Sequence, residues 1–290
     1  MRVFVTGATG SIGSALVSEL IGAGHQVLGL CRSEAKAPAL AAAGAEVHRG
    51  SLDDLDGLKA GAAAADGVIH LAFNHDFSTY MANCQDDRRV IEALGAALAG
   101  SERPLIVTGG IIGATEDGPA ASSAEVPRAA SEEAALALAA GGLNASVVRL
   151  PQVHDPVVQG LVTPIIMMAR EKGVMAYIGE GANRWPAAHI SDVARLYRLA
   201  IEKAAPGARW HAVGEEGVAM RDIAETIGRR LKLPVKSIAQ EEAGDYFGWL
   251  GMFAGRDMPA SSVLTRQKLG WEPTGPGLIA DLERLQLAEG

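Results

Sequence analysis

The chain has 290 residues and is poor in cysteine, in aromatic side chains and in long runs of charge or hydrophobicity. Its two cysteines, Cys31 and Cys84, have no metal-ligand spacing, which excludes a disulfide framework and points to a reducing compartment. The net charge of −8 comes without any basic run or stripe, which argues against a nucleic-acid partner. The first apolar run, Val3 to Val5, breaks at once into Thr6-Gly7 and is too short for the core of a signal peptide. No apolar stretch reaches the length of a membrane span. The expectation is a soluble, cytoplasmic protein with no membrane and no nucleic-acid partner. Glycine-flanked nucleophilic serines, paired-cysteine metal sites and His-Glu zinc helices are all missing, so hydrolase and metal-centre chemistry have little support.

What is present is a regular alternation. Apolar residues make up 48% of the chain, and alanine and glycine are abundant, as suits helices packed closely on a parallel sheet. Buried strands are expected at Arg2–Thr6, Gln26–Leu30, Glu46–His48, Gly67–Ala72, Pro104–Thr108 and Ala145–Leu150. Helical patterns lie between them at Ser11–Ala23, Pro38–Ala43, Leu55–Ala65, Asn83–Ala99 and Ser131–Ala140. This alternation predicts βαβ units and a parallel sheet covered on both faces. Beyond Leu150 the pattern loosens, although Met220–Leu231 and Gly277–Leu287 read as charged helices. Gly118–Ser123 reads as a loop, and Asp245–Phe253 gathers aromatics and glycines as a lid over a pocket would, or equally as core packing or a subunit contact would.

The first strand runs into Thr6-Gly7-Ala8-Thr9-Gly10-Ser11-Ile12-Gly13, and a helix follows. Gly7 permits a tight turn, Gly10 lets the backbone approach a pyrophosphate, and Gly13 allows close helix–strand contact. Thr9, Ser11 and Ile12 complete the loop, whose free N–H groups open the helix. The fold class is therefore α/β, a Rossmann-type doubly wound parallel sheet with a smaller C-terminal lobe. Residues 1–155 are assigned to the dinucleotide-binding domain. Residues 156–290 are assigned mostly to a substrate lobe, with segments returning to the sheet. The second strand ends in Cys31-Arg32-Ser33, where an NAD site usually places an acid for the ribose 2′-hydroxyl. A guanidinium and a hydroxyl suit a 2′-phosphate, so NADP(H) is preferred over NAD(H).

The glycine pattern resembles that of extended short-chain dehydrogenase/reductases, the NAD-dependent epimerase/dehydratase superfamily. Further likenesses run through nearly the whole chain: Gly50-Ser51-Leu52-Asp53-Asp54, Val68-Ile69-His70-Leu71-Ala72, Arg149-Leu150-Pro151-Gln152-Val153-His154, His189-Ile190-Ser191-Asp192 and Leu269-Gly270-Trp271-Glu272-Pro273. The resemblance implies that Asp53 lies by the adenine, that Leu71 and Ala72 pass the cofactor, and that Pro151 lies near the nicotinamide. It implies that Thr108 hydrogen-bonds a substrate carbonyl. The departure is at the family's Tyr-x-x-x-Lys. With Glu132 aligned to the family's helix glutamate, the lysine falls on Arg128 and the tyrosine on Ala124, and no tyrosine lies between Tyr80 and Tyr177. The chain thus resembles an atypical subgroup with an intact cofactor motif and a lost catalytic pair.

Thr108 and Arg128 are the candidates to orient substrate and ribose. An arginine cannot give up a proton near neutral pH, so a proton must come from another group or from solvent. The candidates are His75, Tyr80, His154, Tyr177 and His189, of which His154 is favoured because it follows the segment bordering the nicotinamide. His189 is expected to position its loop and Asp192. Asn74, His75, Arg184 and Trp185 are candidate substrate contacts. The expected activity is NADPH-dependent reduction of a small organic carbonyl or imine. The alternatives are a non-catalytic NADP(H)-binding sensor and, more weakly, a sugar-type epimerase or dehydratase. The long alanine-rich helices resemble those that pair across family dimers, which implies a homodimer.

Overall fold

Val3, Phe4 and Val5 are all fully buried, as a strand covered on both faces requires. In the computed structural model, which describes residues 1–287, they belong to β1 (Arg2–Thr6). The chain continues through α1 (Ser11–Gly22), β2 (Gln26–Cys31), α2 (Ala37–Ala42), β3 (Glu46–Arg49), α3 (Leu55–Ala63), β4 (Gly67–His70) and α4 (Tyr80–Leu98). Next come β5 (Leu105–Gly110), α5 (Ala129–Ala140), β6 (Ala145–Leu150), β7 (Gln152–His154), α6 (Val162–Lys172), β8 (Met175–Ile178) and β9 (Arg184–His189). The last elements are α7 (Ile190–Lys203), β10 (Arg209–His211), β11 (Glu215–Ala219), α8 (Met220–Leu231), β12 (Val235–Ile238), α9 (Ala243–Phe247), α10 (Gly251–Ala254), α11 (Val263–Leu269) and α12 (Leu278–Glu283).

The chain divides into two units. The first comprises Met1–Leu150, Val193–Ala212 and Val263–Glu272, and the second comprises Pro151–Asp192, Val213–Ser262 and the chain from Pro273 onward. The break after β6 thus falls at residue 150, where the sequence suggested 155.

Among the described residues the first unit holds a seven-stranded sheet in the order β10-β6-β5-β4-β1-β2-β3, every pair parallel. The order reverses between β1 and β4, and in doubly wound sheets the ligand crevice opens beyond the carboxyl ends of the strands at that point. Phe4, Leu28, Val68, Leu105 and Val147 project from the strands into a core shared with Leu58, Ile91 and Leu94 of the helices. Two of the boundary differences have local reasons. β4 ends at His70 because the Ala72 N–H leaves the ladder and donates to Thr6 Oγ1 at 3.2 Å. α4 begins three residues early, after a short turn whose Ser78 N–H is capped by Asp76 Oδ1 at 3.0 Å.

The second unit holds a sheet in the order β11-β9-β7 and a parallel pair, β12-β8. Its core gathers around Trp185, with Ile165 and Ile166 of α6, Ile223 and Ile227 of α8, and Leu278 and Leu282 of α12. Within Asp245–Phe253, Tyr246, Phe247 and Leu250 belong to this core, as the packing alternative expects, while Trp249 and Met252 are exposed. The last helix is shorter than expected, since beyond Glu283 the chain turns so that the Gln286 N–H donates to the Pro156 carbonyl at 2.7 Å.

Candidate functional site

The turn after β1 is built from backbone. Gly7 has φ +71°, a conformation costly for residues with a Cβ, and a Cβ there would stand 2.9 Å from the Ala72 nitrogen. A Cβ on Gly13 would stand 2.0 Å from the Gly7 carbonyl oxygen, so α1 reaches the strand only because that side chain is absent. Gly10 caps α1 without a side chain, which leaves the first-turn N–H groups of Ser11, Ile12 and Gly13 open at the positive end of the helix. A cradle of bare backbone at a helix N-terminus fits a dinucleotide pyrophosphate.

Cations flank the next strand end. Arg32 is exposed just past β2, and no ion pair engages it among the described residues. Lys36 approaches the loop, its Nζ 3.5 Å from the Thr9 carbonyl. The nearby acid Glu34 is paired with Arg49 at 2.8 Å. Lys36 escaped the sequence reading, although its place four residues beyond Arg32 was a usable signal. Ser33 is half-buried beside them. Asp53 is exposed and Asp54 is the α3 cap, accepting from the Gly57 N–H at 2.9 Å, so the two neighbouring acids have different tasks. Leu71 and Ala72 are half-buried past β4, and Ala72 is one wall of the Gly7 turn.

Beneath this edge lies a buried polar network. His70 Nε2 lies 2.9 Å from Asp87 Oδ1, and His70 Nδ1 lies 2.7 Å from Thr6 Oγ1. Asp87 Oδ2 accepts from Arg128 Nη1 at 3.1 Å and from the Ser131 hydroxyl. Burial alone would raise the Asp87 carboxyl, but His70, Arg128 and Ser131 together hold it below the usual carboxylate range. Arg128 Nη2 donates to the Thr108 carbonyl at 3.0 Å, and the guanidinium lies 4.2 Å from the Phe73 ring centroid.

This network changes the expected roles of two residues. Thr108 Oγ1 donates its one proton to the His70 carbonyl at 2.7 Å and therefore accepts from the Tyr197 hydroxyl at 2.8 Å. It has no proton left for a substrate carbonyl. Tyr197, which the sequence reading missed, is fully buried, and burial pushes its phenol up. Arg128 uses both terminal nitrogens on Asp87, Ser131 and Thr108. α5 starts only at Ala129, so Ala124 and Arg128 do not form the one-turn helical pair that a Tyr-x-x-x-Lys motif needs.

The second unit places its candidates differently. Pro151 is half-buried at its start. His154 has no exposed surface; its Nδ1 lies 2.8 Å from Asp281 Oδ2, and its Nε2 has no hydrogen-bond partner. Burial lowers its pKa, against the opposing pull of Asp281 and Glu215. Trp185 is also fully buried and is corrected from substrate contact to core residue, because alternation along β9 turns it inward. Arg184 is exposed, but Asp257 holds its Nε at 3.0 Å and its Nη2 at 2.9 Å. His189 Nδ1 lies 2.7 Å from Ser191 Oγ, while Asp192 accepts from the Thr274 and Gly275 N–H groups at 3.0 and 2.8 Å. Among the described residues no cluster of metal-ligating side chains occurs, and no helix is long and apolar enough to cross a membrane.

Strand order, reversal point and glycine cradle together define a doubly wound α/β protein of the nicotinamide-dinucleotide-binding class. A model of the NAD dependent epimerase/dehydratase family matches residues 3–213, and the chain belongs to that family. An uncharacterized protein of Schizosaccharomyces pombe is 48% identical over 97% of this chain and 98% of its own. A 2-alkyl-3-oxoalkanoate reductase of Stenotrophomonas maltophilia is 30% identical over 72% of this chain and 67% of its own. A dTDP-glucose 4,6-dehydratase of Streptomyces venezuelae, solved with NAD bound, has the same fold at TM-score 0.75 and 20% identity, over 98% of this chain and 95% of that one. The family and these relatives mark an NAD(P)-dependent function of the oxidoreductase or epimerase type.

Proposed function

We propose that this protein is an NADPH-dependent reductase of a small organic carbonyl or imine. The observation that carries the reading is the pairing of an open glycine cradle with Arg32 and Lys36, two cations without carboxylate partners among the described residues, beside the strand end where an NAD site needs an acid. The first-turn N–H groups of α1 hold the pyrophosphate, Arg32, Ser33 and Lys36 hold the 2′-phosphate, and Asp53 lies toward the adenine. The bound dinucleotide supplies a hydride. Leu71 and Ala72 border it in this reading. Arg128 acts by fixing the strand ends, since its terminal nitrogens are committed within the protein.

The proton comes from solvent or from a phenol or imidazole past β4. Tyr80 stays protonated at neutral pH, because burial and the neighbouring Cys84 push it up to about 12 against the pull of Arg128. Partial desolvation and the nearby Arg128 hold the His75 imidazole below its usual range. An imine lessens the demand for an acid, since an iminium arrives already protonated. The reductase named among the relatives supports a carbonyl acceptor.

Titration with NADPH and NADH, followed by NADPH oxidation across carbonyls, 3-oxo acids and cyclic imines, tests the reading. Tighter NADPH binding with turnover is expected, and tighter NADH binding overturns the cofactor preference. The committed hydroxyl of Thr108 favours a second reading, a non-catalytic NADP(H) sensor. That reading requires NADPH binding without turnover of any acceptor. The proposal also includes a homodimer through α4 and α5, whose close packing over Gly95 leaves a groove of about 440 Å³ lined by Arg88, Glu92, Leu138, Leu143 and small residues.

A further inference from the structure

From the end of β4 to the first residue of α4 the chain carries a ring at 73, 75, 77 and 80, and the four rings close a circuit. Phe73 meets His75 edge-on at 5.2 Å, His75 meets Phe77 at 6.4 Å, Phe77 meets Tyr80 at 5.7 Å, and Tyr80 meets Phe73 at 6.3 Å. In a chain with only 4% aromatic residues, this is a concentrated cluster at the carboxyl edge of the sheet.

The polar groups of the same segment bond to one another. Asn74 Nδ2 donates to Asn83 Oδ1 at 3.2 Å, and Asn83 Nδ2 donates to the Asp76 carbonyl at 2.7 Å and the Asn74 carbonyl at 3.3 Å. Asn74 Oδ1 accepts from the Asp76 N–H at 3.1 Å. Asp76 Oδ1 accepts from the Ser78 N–H at 3.0 Å and the Ser78 hydroxyl at 2.6 Å. The side-chain amides of Asn74 and Asn83 are thus engaged within the segment, and what it offers a ligand is mainly ring surface, edged by the His75 nitrogens and the Tyr80 hydroxyl. Its charges point the same way. Arg128, stacked on Phe73, is paired with Asp87, and Asp76 is an exposed carboxylate on the same segment that repels anions. Phe77 is 36% exposed and His75 is exposed.

We propose that Phe73, His75, Phe77 and Tyr80 form a shelf for a flat, uncharged aromatic carbonyl or imine, rather than for a sugar nucleotide or another anion. Asn74 then shapes the shelf without touching the ligand. This rests on the reductase reading above and names its substrate class. Offset and edge-to-face ring pairs add roughly 0.5–1.5 kcal/mol beyond area burial.

The test uses the full chain loaded with NADP⁺ for binding and with NADPH for turnover. The probes are 2-acetonaphthone, cyclohexyl methyl ketone and UDP-glucose. The aromatic ketone should bind with a Kd at least about tenfold below those of the other two. Phe77→Ala, at an exposed position, should raise that Kd and the matching KM about fivefold to tenfold, and the cyclohexyl values by a clearly smaller factor. Aromatic binding weakened by Phe77→Ala but without turnover keeps the shelf and overturns the reductase reading. Turnover of cyclohexyl methyl ketone with no aromatic preference keeps the reductase and overturns the shelf. UDP-glucose binding tightest, or Phe77→Ala leaving aromatic binding unchanged, also overturns the shelf.

Discussion

Gly13 shows how strict single positions in the cradle are. Its missing Cβ lets α1 pass within contact of the Gly7 carbonyl, and nothing but backbone is there to give way. Gly13→Ala should cost roughly 1–3 kcal/mol of stability and most of the dinucleotide affinity, read by thermal melts with and without NADPH. Arg32 and Lys36 act by charge, so the double variant Arg32→Ala, Lys36→Ala should lose about tenfold or more in NADPH affinity while NADH binding changes little. Raising the salt should narrow the difference between wild type and variant. Asp87 acts by holding others. Its folded-state pKa is depressed, so its contribution is full above the ordinary carboxylate range and is lost as pH falls through the lowered value. Asp87→Asn should destabilise the protein at pH 7 by about 3–5 kcal/mol, because Arg128 and His70 lose a buried partner. The same variant should flatten the acid limb of a stability profile, measured by denaturant unfolding from pH 3 to 7.

At the scale of elements, helix and strand ends explain what the site can do. The early start of α4 puts Tyr80, Cys84 and Asp87 on one inward face, spaced four and three residues apart. That face carries the aromatic shelf at one end and the buried carboxylate at the other. In the second unit, β7 and α12 are tied by His154 and Asp281, both buried. The folded-state pKa of His154 is lowered, so the unfolded chain binds a proton that the folded chain refuses. Stability should therefore fall as pH drops below about 6.5, the ordinary value, and His154→Gln should remove that component. Comparing melts at pH 7.5 and 5.5 for both proteins checks this. An unchanged pH response in the variant would assign the effect elsewhere.

At the scale of the molecule, the proposed homodimer predicts a sedimenting species of twice the 30.0 kDa protomer mass. Gly95→Leu would meet the Leu138 side chain, since even a Cβ there stands 2.6 Å from it. It should therefore spread α4 from α5 and shift the species toward the protomer mass in analytical ultracentrifugation. The division into two units also bears on function. Residues 193–212 and 263–272 return to the first unit, so the dinucleotide fold is assembled from three stretches of chain.

The strands and helices up to β6 were legible to within a few residues because their signals are local: runs of valine, leucine and isoleucine, and glycines where φ is positive. The cradle was legible for the same reason, since Gly7, Gly10 and Gly13 are read by spacing. Side-chain commitments were not. Whether Thr108 offers its proton to a ligand depends on the His70 carbonyl and Tyr197, which are 38 and 89 residues away. Whether Trp185 and His154 face a ligand or the interior depends on the packing of β9 and α12. The sequence alone determined a parallel α/β sheet with a dinucleotide loop, because backbone conformation follows from near neighbours. Only the tertiary structure decided which polar groups are already satisfied and which rings stand exposed, because each hydrogen bond and each buried face needs a partner that the chain brings from far away.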